Sequence, residues 1–239
     1  MTTNRAPRVT AAASEILART NIAANPYLVA LEDGTMPLSV FQRTQEQFFF
    51  AVTFFSRPMA ALVGRIPDPH ARVDILHNLV EEHGEFREQG FHHNTFQQFL
   101  RTIGCVPEQL DAMALWPAVR AFNSVLTTAC LLDELEVGIA CMGIIEHAFA
   151  GISATIGRAV VARGWVEGER LVHYKLHEEI DERHAEEFFA VVEPGWDERR
   201  ARYFIDQGLQ LGAHVFDRFY RELLARGSAA APPAGPPRP

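Results

Sequence analysis

Apolar residues along the chain recur every three or four positions rather than every two. Val40, Phe41, Phe48, Val52, Phe55, Met59, Leu62 and Val63 trace a broad stripe at helical period, which predicts a helix rather than a strand. Breakers and caps divide the rest of the chain into comparable segments. A first helix is expected from residue 11 to about residue 31, closed by the polar run 32–37 with its Gly and Pro. Ser39 is placed to cap a long second helix to about residue 65, where Pro67 and Pro69 end it. A third covers 71 to about 83, Gly84 and Gly90 bracket a loop, and a fourth runs from about 92 to 103 before Gly104 and Pro107. Pro117 starts a helix through residue 132, and Asp133 opens another to about 163, closed by Gly164. The last two are expected over 167–192 and 197–224. With no strand of convincing length, the pattern predicts an all-α fold. Seven or eight antiparallel helices with short connections form one bundle-like domain over residues 1–226. Residues 227–239, almost entirely Ala, Pro and Gly, have nothing to build a core from, and disorder is expected there.

Composition sharpens this picture. A chain of 239 residues that is 48% hydrophobic can bury a core of its own. Its 30 Asp and Glu against 22 Lys and Arg give a net charge of -8 with no basic run, which argues against nucleic acid or an anionic membrane as partner. Cys105, Cys130 and Cys141 lie in apolar stretches without CxxC spacing and read as buried thiols in a reducing compartment. The amino-terminal residues lack the apolar segment of a signal peptide, and polar or charged residues interrupt the most apolar stretches. A cytoplasmic, soluble protein is expected. The unusual feature is 10 His in so acidic a chain.

Three clusters carry the candidate chemistry. At about 100° per residue, His177, Asp181 and His184 fall within roughly 60° of one another on a helix, so two imidazoles and a carboxylate point the same way. His173 stands one turn before them on that face. A merely solvated face is the competing reading, since Glu178, Glu179, Glu182 and Arg183 are close by, but those charges lie largely off the stripe. Glu146 is the lone acidic residue in an apolar run. A carboxylate there is costly unless something neutralises it, either a metal or a partner such as Arg158. The third cluster gathers Asn78, Glu81, Glu82, His83 and Glu85 with His92 and His93, too many for spacing to choose among. Together the clusters offer His and carboxylates from at least three helices, the donor set of a di-iron or di-manganese carboxylate site in a bundle. Imidazole and carboxylate without Cys suit non-heme iron with positions left open for dioxygen.

Competing chemistries lack their motifs. There is no GxSxG, no GxxxxGK[ST], no GxGxxG after a strand and no HExxH. A heme held by one His would leave Asp181, His184 and Glu146 without a role. The aromatic residues from Phe48 to Phe55 read as core, with part of the run available to line a dry substrate cavity. Arg57 is the nearby cation that could meet a substrate carboxylate, though an ordinary surface role is the simpler reading.

These residues resemble the heme-oxygenase-like diiron oxidases and oxygenases, over about residues 10 to 225. The likeness rests on residues 78–84, on 92–104, on Glu146 among small residues, and above all on His177, Asp181 and His184 spaced four and three apart. It implies a heme-oxygenase-like bundle in which Glu82, His92, Glu146, His177, Asp181 and His184 hold iron, Glu146 as the bridging carboxylate and His93 as substitute for His92. Two Fe(II) per chain are implied, the second weakly held, with dioxygen as cosubstrate and an external electron donor. A small-molecule substrate and a homodimer are implied as well. The activity implied is N-oxygenation or oxidation of an amine or amino acid in a biosynthetic pathway. The alternatives are oxidative C–C or C–H cleavage of a fatty acid or amino acid, and a non-catalytic ligand- or partner-binding bundle of the same fold. Two departures narrow the choice. The self-sacrificing para-aminobenzoate synthases of this family use an internal Tyr and a Lys near the middle helix, and no Lys surrounds the corresponding Ile156. Heme oxygenases use a His near the amino terminus, and none occurs before His70.

Overall fold

The structure, a computed structural model, describes residues 7–229, apart from the side chains of residues 172 and 175–180. Nine α-helices follow one another among these residues. They are α1 (Arg8–Thr20), α2 (Pro26–Glu32), α3 (Leu38–Val63), α4 (Pro69–Glu82), α5 (His92–Thr102), α6 (Pro117–Leu131), α7 (Leu135–Ala162), α8 (Val172–Val192) and α9 (Arg199–Ser228). The only β pairing among the described residues is an isolated bridge between His83 and Phe91. The all-α bundle is therefore as expected, with one more helix than the upper count.

The extra helix arises because the expected first helix is two. Asn21 turns left-handed at φ 54° and ends α1, and Asn25 then caps α2 by accepting from the Tyr27 N–H at 2.9 Å, with Pro26 in the first position. Other boundaries also shift. Pro37, not Ser39, stands at the N-cap of α3, and Pro69 opens α4 behind an Asp68 cap instead of closing the preceding segment. A short 3-10 turn at Gly168–Arg170 precedes α8, and α9 continues through Gly227 and Ser228. The rest of the tail expected to be disordered, residues 230–239, lies outside the described residues.

Helix α7 is the axis of the core and packs most extensively on α8 and α9. Close approach depends on missing side chains. A Cβ on Gly208 of α9 would sit 2.4 Å from the Val137 carbonyl oxygen of α7, and one on Gly212 would sit 2.7 Å from that of Cys141. By length and composition α7 could cross a membrane, contrary to the expectation that such stretches are interrupted. In this fold, 83% of its most apolar stretch is buried inside the protein, as befits a core helix. Helix α1 has no side-chain cap from its own segment. The Glu193 carboxylate, after α8, accepts from the backbone N–H of Arg8 (3.2 Å) and Val9 (2.9 Å).

Candidate metal centre

Four helices bring the candidate residues together. Glu81 and Glu82 end α4, His92 begins α5, Glu146 lies mid-way along α7, and α8 carries Asp181 and His184. The segment between Glu82 and His92 folds back on itself through three consecutive left-handed residues, Gly84 (φ 54°), Glu85 (51°) and Phe86 (64°). Only glycine fits at the pinch, since a Cβ on Gly84 would lie 2.3 Å from the carbonyl carbon of Gly90. This reversal sets the His92 Nδ1 2.9 Å from the Glu82 Oε2 with both side chains almost wholly buried.

Glu146, Asp181 and His184 are buried, and one ligand-capable atom from each lies within 4.8 Å of the others. Glu146 Oε1 has no hydrogen-bond partner among the described residues. Burial pushes the Glu146 carboxyl well above its ordinary range, and the charges of Asp181, Glu82 and Glu187 push it further. Carboxylates crowded into a buried core can be relieved by a proton or by a cation, and an oxygen-and-nitrogen donor set without sulfur is the kind that suits non-heme iron. Arg158, the alternative partner considered for Glu146, is exposed and bonds Thr155 instead.

The remaining histidines divide by burial. His173 is buried, its Nδ1 3.3 Å from the Thr95 hydroxyl and its ring edge-on to Phe96 and His92. His93 faces solvent beside Gln97, and His147, half-buried, meets Ser14 at 3.1 Å. His70, His77, His83 and His214 are exposed. The side chain of His177 lies outside the described residues. One turn of α8 earlier, Tyr174 donates to the Gln45 Oε1, whose Nε2 donates in turn to Tyr27 at 2.8 Å. That buried chain ties α8 to α3 and α2 on the face which, seven residues on, carries Asp181.

Sequence spacing left Glu81, Arg183 and Glu187 unassigned. Glu81 Oε2 lies 2.8 Å from His184 Nε2, and Arg183 grips both Glu81 oxygens at 2.7 and 2.8 Å and Glu187 at 2.8 Å. Burial alone would raise the Glu81 carboxyl, but hydrogen bonds from Arg183 and His184 bring it below its ordinary value. The one available signal was the i,i+4 spacing of Arg183 and Glu187.

A cavity opens over the centre. Helix α3 lines it with Phe48, Ala51, Val52 and Phe55, and Phe122, Ile145, Phe149 and Phe216 add walls from α6, α7 and α9. Its polar lining consists of Glu82, His92 and Glu146. Arg57 is not among these residues. It is exposed, with its guanidinium over the Phe54 ring.

A family model described as an iron-containing redox enzyme matches residues 42–212. This chain belongs to that family. The iron-containing redox enzyme is thus an oxidoreductase, as its residues led one to expect. It is similar to the 4-aminobenzoate synthase of Chlamydia trachomatis, 26% identical over 170 residues that cover 70% of this chain and 71% of that protein. The corresponding protein of Chlamydia muridarum is 25% identical over 172 residues, covering 71% of each. Solved structures share the fold. A CADD-like protein of unknown function from Nostoc punctiforme superposes with a TM-score of 0.76 at 12% identity, covering 92% of this chain and 97% of its own. A protein of unknown function with a heme oxygenase-like fold from Shewanella denitrificans gives 0.71 at 15% identity, covering 92% and 90%.

Proposed function

We propose that this redox enzyme is a non-heme diiron, dioxygen-dependent oxidase or oxygenase acting on a small molecule. The observation that carries the reading is the buried convergence of Glu146, Asp181 and His184 beneath an apolar cavity that also reaches Glu82 and His92. Glu82, His92, Glu146, Asp181 and His184 would hold the metal, joined by His177. When bound, iron supplies the electrons that activate dioxygen. The chain's own residues do the rest. The carboxylates balance the metal charge, and the helices fix the donors. The rings of Phe48, Phe55, Phe149 and Phe216 keep water from the reacting end of the cavity. An external reductant, a cytoplasmic location and a homodimeric assembly belong to the same proposal.

Amine or amino-acid N-oxygenation is one form of this activity. The cavity favours the other, oxidation at carbon. Among the described lining residues no side chain outside the candidate ligands could hold an ammonium or carboxylate group, whereas eight apolar ones would embrace a hydrocarbon body. Anaerobic loading with Fe(II), followed by mixing with oxygenated buffer, tests the proposal. Two irons per chain and a transient visible absorption band are expected, and binding of fewer than two irons overturns it. Oxygen uptake should rise with compounds that carry an extended hydrocarbon body more than with amino acids. The reverse order would restore N-oxygenation.

A further inference from the structure

Glu81 neighbours the candidate ligand Glu82 on α4, yet adjacent residues project about 100° apart on a helix, so both cannot face the same centre. The Glu82 side chain is 5% exposed and faces His92, whereas the Glu81 side chain is 18% exposed and faces His184 and Arg183. Glu81 therefore stands on the outer side of His184. Its Oε2 lies 2.8 Å from His184 Nε2, and its two oxygens are fixed by the guanidinium of Arg183, which also holds Glu187. The other imidazole nitrogen, Nδ1, is buried, makes no hydrogen bond among the described residues, and lies 3.9 Å from Asp181 Oδ1.

We infer that Glu81, held by Arg183, is a positioning residue that keeps the proton of His184 on Nε2 and turns the Nδ1 lone pair toward the metal. The inference rests on the proposed iron site. Its physical basis is general. An imidazole ligates through one nitrogen only if the other carries the proton, and a carboxylate acceptor on that N–H fixes both tautomer and ring plane while strengthening the donor. Arg183 makes the arrangement rigid. Its Nη2 reaches both Glu81 oxygens while Nη1 is anchored on Glu187, which restrains the Glu81 carboxylate and orients His184 before metal arrives.

Anaerobic Fe(II) titration of the full chain, with Co(II) substitution to read the visible spectrum of the bound metal, tests this assignment. In Glu81→Ala the number of irons bound stays at the wild-type value. The affinity of one falls by about 10- to 100-fold, the usual cost of losing an outer carboxylate partner, and the Co(II) spectrum shifts. Glu81→Gln keeps an acceptor for Nε2–H and recovers most of the affinity. In a His184→Ala background, Glu81→Ala changes affinity no further, because the residue acts only through that ring. Far-UV melting checks that each variant is folded. Three outcomes overturn the inference alone: unchanged affinity and spectrum in Glu81→Ala, loss of a whole equivalent of iron in that variant, or an undiminished effect without His184. Wild-type protein that binds no Fe(II) overturns the proposed function and this inference together.

Discussion

Replacing Glu146 by leucine should stabilise the metal-free protein and abolish its stabilisation by metal. Glu146 is 4% exposed, and one of its oxygens lacks a hydrogen-bond partner among the described residues. Burial and the charges of Asp181, Glu82 and Glu187 all work against its ionised form. Leucine is larger by about one methyl group, which the adjoining cavity can take, and would sit among Ile145, Phe149 and the cavity rings without an orphaned acceptor. A buried unsatisfied polar group costs about 1–3 kcal/mol, so metal-free Glu146→Leu should gain a stability of that order. In a chain of this size each kcal/mol moves the melting temperature by roughly 2–4 °C. The sign reverses with iron. A ligand at a hundred times its Kd stabilises a one-site protein by about 2.7 kcal/mol, and the variant, lacking a proposed ligand, should lose most of that gain. Anaerobic thermal melts with chelator and with excess Fe(II) give the four values needed. A metal-free variant that melts below wild type would refute the reasoning, since Glu146 would then be making a favourable partnership in the empty fold. A variant that still gains the wild-type increment from Fe(II) would remove Glu146 from the metal centre.

Three further outcomes follow from the fold. Gly212→Ala would drive a methyl group into the Cys141 carbonyl oxygen and the Ile144 side chain and should cost about 1–3 kcal/mol in urea unfolding. A neutral result would mean that α7 and α9 separate easily. Glu193→Ala removes the acceptor for the first N–H groups of α1 and should cost about 1 kcal/mol near neutral pH. Burial alone would raise the Glu193 carboxyl, but hydrogen bonds from Val9 and Arg8 hold it below its ordinary value. Its contribution is therefore present above the unfolded carboxylate pKa and lost as pH falls through the lowered folded one, so wild type and variant should converge in acid. Burial pushes the thiols of Cys105 and Cys130 up to about 12, with Glu46 adding to the effect at Cys105, and raises Cys141 further. Cys105 is half-buried rather than buried as expected, so a thiol reagent at neutral pH should label Cys130 and Cys141 only on unfolding, and rapid labelling of those two in the native chain would contradict their burial.

Much of the fold was legible because period and punctuation agree along most of the chain. Helices α5, α6 and α7 begin and end within two residues of where proline, glycine and the apolar stripe place them. The misjudged points have separate causes. Asn25 and Pro26 form a cap and first-turn pair, a start signal hidden inside a stretch whose apolar period never falters. At the far end, α9 runs through Gly227 because tertiary contacts outweigh composition. The Gly227 carbonyl accepts from Arg43 at 3.2 Å, and a Cβ there would lie 2.6 Å from the Thr44 methyl. The site was legible in kind rather than in detail. An acidic residue inside α7 and a His-rich face on α8 are visible as violations of an apolar pattern. The pairing of Glu82 with His92 depends on a backbone reversal through two non-glycine residues with positive φ, which spacing does not encode.

The order of folding and metal loading follows from what joins the ligand-bearing helices. Glu81 and Arg183 link α4 to α8, Tyr174 and Gln45 link α8 to α3, and glycine-mediated contacts fix α7 against α9, all without an ion. The carboxylates around Glu146 are under electrostatic tension, a local cost that is small beside the core that α7 buries. Metal bound at these residues would relieve a local penalty in a fold that other forces already hold, unlike a zinc finger, where the metal itself makes the fold. Such a centre can leave coordination positions open. On the proposed function, no ligand would be needed to keep the helices together, and positions facing the apolar cavity would be left for dioxygen and substrate.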